Sequence, residues 1–325
     1  MHLSVLWLSA LFSLGASQTF SKCDPTIKSC PPNPGLPYRD YQINFSYGLD
    51  HLNWEHFAAG GYNYSHAGAG LTISKSGQSP TLQTKWYIFF GLIEVHLRAA
   101  PGQGIVSCIV LESDDGDEID FEWLGGEPQR LQTNYFGKRN TTTWDRGRFS
   151  HVDDTQYVTH SYAIDWNQDS ITWYVDWQPV RTLRFHEAVD GTNFPQTPAR
   201  LRLGIWSGGD PKNPEGTISW SGGRTDYSKG PYTMYVERVR IVNYNPATSY
   251  VWGDKSGSWQ SIQQVHGNRR VVRDMETQAR ILDSQADQSG QQSFVRAPGR
   301  RRAQAAARPE PSYRHMSGDG EASIH

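Results

Sequence analysis

The stretch from Glu112 to Trp123 reads Glu-Ser-Asp-Asp-Gly-Asp-Glu-Ile-Asp-Phe-Glu-Trp and carries seven carboxylates with no basic residue among them. Its second half alternates strictly: Glu118, Asp120 and Glu122 share one parity, and Ile119, Phe121 and Trp123 share the other. Successive side chains of a β-strand point to opposite faces, so the pattern predicts one apolar face against a core and one face bearing three acids in line. Like charges that close disfavour joint ionisation. At least one of the three is therefore expected to keep its proton well above the usual carboxyl pKa near ~4.

Paired carboxylates of that kind are what glycoside cleavage uses, one as nucleophile or base and a second, protonated one as acid. Glu118 and Glu122 are about 13 Å apart along a strand at ~3.3 Å per residue, so their side chains must lean together over a concave sheet. Two blander readings compete. A solvated acidic strand face explains many such runs. A calcium loop with Gly116 at its sixth position would start at Leu111, which cannot ligate, and is set aside.

Residues Leu3 to Leu14 form a short apolar run followed by Gly15-Ala16-Ser17, which reads as a signal peptide over 1–17 and a mature chain from Gln18. The run is too short for the ~20 residues a bilayer span needs. The export reading makes Cys23 and Cys30, close together in a Pro-rich stretch, a disulfide loop, and leaves Cys108 as a buried free thiol among Ile105, Val106, Ile109 and Val110. Sequons begin at Asn44, Asn63 and Asn140. A formal net charge of −2 and the lack of a basic surface in the aromatic-rich part argue against nucleic acid as a partner.

Strand patterns recur with few helical ones. Candidates lie at Leu71 to Ile73, Gln83 to Tyr87, Ile88 to Arg98, Ser107 to Glu112, and Tyr232 to Ile241, with a hairpin at His160 to Trp166 and Ile171 to Asp176. In Arg200 to Trp206, Leu201, Leu203 and Ile205 share one face while Arg202, Gly204 and Trp206 share the other, with room over the glycine for a ligand. The segment Gly216 to Trp220 continues in the same style. The expected fold is all-β, a sandwich of two antiparallel sheets over 18–250, with 12 Trp available for core or sugar contacts. From 251 to 325 the chain reads as a low-complexity, mostly disordered tail, with a short helix over Arg269 to Asp283 and a basic run near Arg300. Its end lacks the apolar tail of a GPI signal.

Asp117-Glu118-Ile119-Asp120-Phe121-Glu122 resembles the signature of glycoside hydrolase family 16, retaining enzymes on a concanavalin-like jelly roll. The chain is more closely similar to the fungal Crh branch, wall transglycosidases that join chitin to β-glucan. The likeness runs from Thr19 to Tyr244 through Cys23 to Pro34, Thr133 to Lys138, the hairpin, Arg202 to Asp210, Gly216 to Ile218 and Gly230 to Val236. It implies Glu118 as nucleophile, Glu122 as acid/base and Asp120 as the auxiliary acid between them. It also places donor contacts at Arg202, Trp206 and Thr217, and Trp220, Asn134, Tyr135 and Lys138 are further candidates for the groove. Three features depart from the pattern: Phe121 stands where Crh proteins commonly have Trp, Asp176-Trp177 replaces an Asp-Gly turn, and Lys138-Arg139 lacks the usual next Gly.

The resemblance implies a secreted, monomeric enzyme that takes a chitin donor and a β-glucan acceptor, needs no cofactor or metal, and sits outside the cell or in the wall. A hydrolase of another β-glucan and a non-catalytic jelly-roll lectin are the alternative readings.

Overall fold

The computed structural model describes residues 21–143 and 146–267. The expected signal peptide, the helix over 269–283 and the basic run lie outside them. The described chain forms eighteen strands, numbered in chain order, and a single α-helix.

One sheet has seven strands. From edge to edge these are β11 (Arg148–His151), β10 (Arg130–Phe136), β9 (Glu118–Leu124), β8 (Ile105–Ser113), β15 (Ala199–Ser207), β6 (Thr81–Thr84) and β3 (Trp54–His56). The other sheet runs β14 (Gln178–Arg184), β13 (Ser170–Val175), β12 (His160–Trp166), β7 (Gly91–Arg98), β16 (Tyr232–Asn243), β5 (Gly68–Ile73) and β4 (Gly61–Ser65). Every pairing within them is antiparallel. The long strand β16 pairs β5 with its first half and β2 (Asp40–Asn44) with its second.

The expected alternation decides the packing. Ile119, Phe121 and Trp123 of β9 are each at most 1% exposed and face the opposite sheet, where Tyr162 of β12 meets Phe121 edge-on at 5.7 Å and Trp123 at 4.5 Å. Complete burial of one such ring stabilises the fold by about 1.5–3 kcal/mol, and edge-to-face contacts add to that. Leu201, Leu203 and Ile205 of β15 complete the same layer, each fully buried. Phe121 is thus a packing residue. Trp173 of β13 ties the two sheets together, its indole N–H donating to the backbone carbonyl of Asp120 at 3.0 Å.

The hairpin of β12 and β13 forms as expected, in the register Tyr162 opposite Val175 through Trp166 opposite Ile171. At the next turn Asp176 and Trp177 both take positive φ, 48° and 62°. That is the conformation an Asp-Gly pair adopts without strain. Asp176 is held there by accepting from the Ser161 amide and from His160.

Two expectations on the fold change. Gly216 to Trp220 is not a strand: Glu215–Trp220 forms the helix α1. Glu215 sits favourably in its first turn, and only Ile218 is buried, so no second face needs a sheet partner. The folded part also runs past residue 250. β17 (Ser249–Trp252) and β18 (Ile262–Val265) make a small sheet with β1 (Asn33–Pro34). Tyr250 is fully buried there, Ile262 is 9% exposed, and the Trp252 indole donates to Asn33. Polar composition hid this because few apolar residues suffice for an edge sheet.

Candidate active site

Residues directly opposite one another in an antiparallel pair share a face, so the register of the seven-stranded sheet defines rows across it. Glu122 stands opposite Cys108 of β8 and Gln132 of β10, and Cys108 opposite Gly204 of β15. Asp120 stands between Val110 and Asn134, and Val110 opposite Arg202, which is opposite Gln83 of β6. Glu118 stands between Glu112 and Phe136, and Glu112 opposite Arg200. Trp206 lies on the same face, opposite Val106. The acids therefore occupy the middle of a sheet face and not an edge.

The seven carboxylates of the acidic stretch divide into two groups. Those before β9 have partners. Glu112 is held by the Arg202 guanidinium. Asp114 accepts from Tyr87 at 2.8 Å and from Asn33 at 2.6 Å. Asp117 accepts from the backbone amides of Lys138 and Gln196 and from Thr197, with Lys138 Nζ 3.5 Å away. Asp115 accepts from Thr197 and from the Asp117 amide. Desolvation, and then the neighbouring Asp117, push Asp115 up to about 7.

The three acids of β9 have no ion pair among the described residues. Burial and the adjacent Glu118 push Glu122 up to about 8. Burial raises Glu118 to about 7, against a hydrogen bond from Asp120 that lowers it. Asp120 is 2% exposed and lies well above the carboxylate range, first through desolvation and then through Glu122 and Glu118 on either side. The hydrogen bond between Asp120 and Glu118 raises the first and lowers the second, the direction that places the shared proton on Asp120. The Oδ1 of Asp120 and the Oδ1 of Asn134 opposite it are buried without a hydrogen-bond partner. Unpaired acceptors at such a place suit a ligand that brings its own hydroxyl or amide protons.

Trp206 is half-buried and stacks on Trp220, ring centroids 6.0 Å apart with planes at 21°. Trp220 ends α1 and donates from its indole to Gln132 Oε1 at 3.2 Å, which brings it beside the Glu122 row. Thr217 lies three residues before Trp220, on the same side of the helix. Asn134 is on the acid face.

Three other expected contacts are placed differently. Arg202 shares the acid face, yet it is 4% exposed and its donors go to Glu112 and Gln83, with the Phe57 ring against its guanidinium. Tyr135 belongs to the core: it stands opposite Ile119, is 6% exposed and packs against Arg181. Strand alternation excludes Asn134 and Tyr135 from one face. Lys138 serves the loop acids. Lys138 and Arg139 both take positive φ, 50° and 55°, and Arg139 reaches the carbonyl of Asp114 and the carboxylate of Asp24. The missing glycine is thus replaced by a side chain that ties the loop to the Cys23–Cys30 disulfide segment.

Cys108 is a free, buried thiol opposite Glu122, its pKa raised by burial and then by the three acids. Asn44 and Asn63 are exposed, whereas the Asn140 amide bonds Asn193. Gln132 is a site residue the sequence reading misses. Its parity with Asn134 on β10 is the available signal. No group of His, Cys, Asp and Glu suited to a metal occurs among the described residues, and none of their helices is long and apolar enough to cross a membrane.

Comparison with known proteins agrees with this architecture. Residues 51–222 match the model of glycosyl hydrolases family 16, and the chain belongs to that family. It is a Crh-like member. It is 54% identical to Crh-like protein 5 of Aspergillus fumigatus over 79% of this chain and 65% of that protein. It is 50% identical to Crh-like protein 1 of the same organism, over 81% of this chain and 71% of that protein. Among solved structures, Crh5 transglycosylase in complex with NAG superposes with a TM-score of 0.73 and 56% identity, covering 75% of this chain and all of that one. The chain thus spans about two thirds of the length of its curated relatives, and the two-sheet sandwich is the jelly roll of family 16.

Proposed function

We propose that the protein is a retaining transglycosidase of the fungal wall that cleaves chitin and passes the cleaved chain to a β-glucan hydroxyl. The observation that carries this is the row of three acids in the middle of one sheet face, none of them in an ion pair among the described residues and each with its pKa raised by burial. Glu118 attacks the anomeric carbon while Glu122 gives its proton to the departing glycosidic oxygen. Asp120 donates a hydrogen bond to Glu118, keeps it poised and limits the repulsion between the two glutamates. Glu122, now a carboxylate, takes the proton of the hydroxyl that resolves the glycosyl-enzyme. A sugar hydroxyl gives transfer and water gives hydrolysis.

The NAG bound to the similar Crh5 structure supports a donor of N-acetylglucosamine units, and the half-buried Trp206 and Trp220 rings suit pyranose faces. Incubation with chitin oligomers and a fluorescent β-glucan acceptor should yield labelled high-mass product, and Glu118→Gln should abolish it. Labelled product persisting in that variant would sink the assignment. The lectin reading predicts binding with no product at all. The β-glucan hydrolase reading predicts reducing ends released equally with and without acceptor.

A further inference from the structure

The acid row has a back as well as a front. Alternation sends Glu118, Asp120 and Glu122 to one side of β9 and gives the other side, with Ile119, Phe121 and Trp123, to the layer between the sheets. A cation lies in that layer, behind the row. Arg181 of β14 stands opposite Trp173 of β13, on the inner face of its sheet. Its guanidinium packs over the Trp173 ring at 4.8 Å and over the Tyr135 ring at 5.4 Å. From there it crosses to the facing sheet and donates to the carbonyl of Thr133 at 2.8 Å and to the Thr133 hydroxyl at 3.2 Å.

Two contacts locate this cation against the acids. Thr133 stands opposite Phe121, between Gln132 and Asn134, which stand opposite Glu122 and Asp120. Trp173, beneath the guanidinium, donates to the backbone carbonyl of Asp120. Arg181 therefore sits behind the middle of the row, with one sheet between them. An arginine taken out of water is as a rule paired with an acid. Arg181 is half-buried and enters no ion pair among the described residues. Burial brings it down only to about 10, so it keeps its charge across the neutral range. Glu187 and Arg148 flank it with opposite signs, and Tyr135 is a phenol that stays neutral there. The other charges near the row are already matched: Arg202 holds Glu112, Lys138 lies beside Asp117, and Cys108 stays a thiol. Asp120, raised by desolvation and then by Glu122 and Glu118, is drawn back down by Arg181.

In the transglycosidase reading the row carries one negative charge throughout the cycle. It rests on Glu118 in the free enzyme and on Glu122 once Glu118 is bound to the sugar. From the place of the guanidinium we infer that Arg181 is a positioning residue for this reaction, which stabilises the single negative charge of the row from behind Asp120, whichever glutamate carries it. The inference rests on that reading. A centred cation favours both charge states, whereas an ion pair to one glutamate would hold the charge there and stall the cycle. A unit charge acting through one sheet moves a carboxyl pKa by about 0.5–1 unit. That eases ionisation of Glu118 and is too little to strip Glu122 of the proton it must give.

The test is the pH dependence of kcat/KM on chitin oligomers, whose limbs report the free enzyme's acid and base. Arg181→Met removes the charge and keeps an apolar filler against Trp173 and Tyr135, so both limbs should move up by about 0.5–1 unit with the width between them kept. Arg181→Lys keeps the charge and should leave both limbs near those of the wild type. A residue that only packs would lower the height of the profile and leave its limbs in place. Unmoved limbs in Arg181→Met therefore overturn the inference, as does an equal shift in Arg181→Lys. Arg181→Gln, which can still donate to the Thr133 carbonyl, replaces the methionine variant if that protein does not fold. NMR titration of the glutamate carboxyl carbons in the same proteins reads the field without turnover: upward shifts at Glu118 and Glu122 support the inference, and unshifted ones overturn it. Absence of any glycosidase activity in the wild type would instead defeat the functional reading, and the NMR titration would still decide what Arg181 does to the row.

Discussion

The two halves of the acidic stretch differ in what their neighbours supply. Glu112, Asp114 and Asp117 are met by an arginine, a tyrosine, an asparagine, a threonine, a lysine and two backbone amides. Glu118, Asp120 and Glu122 have chiefly one another. Both halves are largely removed from water, with Asp114, Glu118 and Glu122 half-buried, and desolvation penalises a charge in either. In the first half partners offset only part of the penalty, which leaves Asp115 raised to about 7 and Asp117 raised as well, and the carboxylates fix the β8–β9 connection to the rest of the fold. In the second it is left standing as raised pKa values, which is what general acid catalysis requires. Neither burial nor a raised pKa alone therefore distinguishes an acid tied into the fold from one left open to a ligand; its hydrogen-bond and ion-pair partners do.

The sharpest way to break the comparison is to amidate one residue of the second half. Glu118→Gln should lower transfer and hydrolysis by on the order of 10⁴, since the covalent route is lost while the fold remains. Assay with chitin oligomers checks this, with a circular dichroism spectrum to show an intact sheet. Glu122→Gln should cost about 10²–10⁴ and change the shape of the pH profile. Activity needs Glu118 ionised and Glu122 protonated, so it should rise with pH through about 7 and fall through about 8. The alkaline limb should vanish in Glu122→Gln; a limb that stays would move the acid role to another group.

In the first half the same kind of change should act on stability. Arg202→Met leaves Glu112 buried without its cation and should destabilise the fold by about 3–5 kcal/mol, read as a lower denaturation midpoint. Thr197→Val removes a donor shared by Asp115 and Asp117 and should cost about 1–3 kcal/mol. The smallest effect has the opposite sign. Glu122 has a folded pKa raised above its unfolded value, so its stabilising contribution is complete below about 4 and is lost as pH rises through about 8. Glu122→Gln should therefore match the wild type in acid and exceed it by about 1–2 kcal/mol above pH 8. A variant less stable than the wild type there would mean that the second half is also neutralised.

Alternation makes the acidic strand legible in the sequence, because period two with apolar and acidic residues on opposite parities admits one arrangement. The hairpin at His160 and the strand at Tyr232 are readable for the same reason. Pairing between distant strands is not readable. That Arg202 spends its donors on Glu112 depends on β15 lying beside β8, 90 residues away in sequence. Tyr135 is misplaced by the sequence reading, although its parity with Ile119 follows once β9 and β10 are paired. Thr217 and Trp220 stand on a helix, where a five-residue segment carries too little periodicity to tell a turn of helix from a strand.

The indole of Trp173, which reaches from one sheet to the carbonyl of Asp120 in the other, has a bearing on how the chain can fail. A slip of β9 by a single residue would turn all three acids inward and present Ile119, Phe121 and Trp123 to water. The indole meets that carbonyl only when β9 is in step with β13 in the facing sheet. It works like the mark on a vernier scale: a chain that has assembled its sandwich out of step lacks this contact as well as its outward row of acids, so a correctly locked core and a correctly faced acid row arise together.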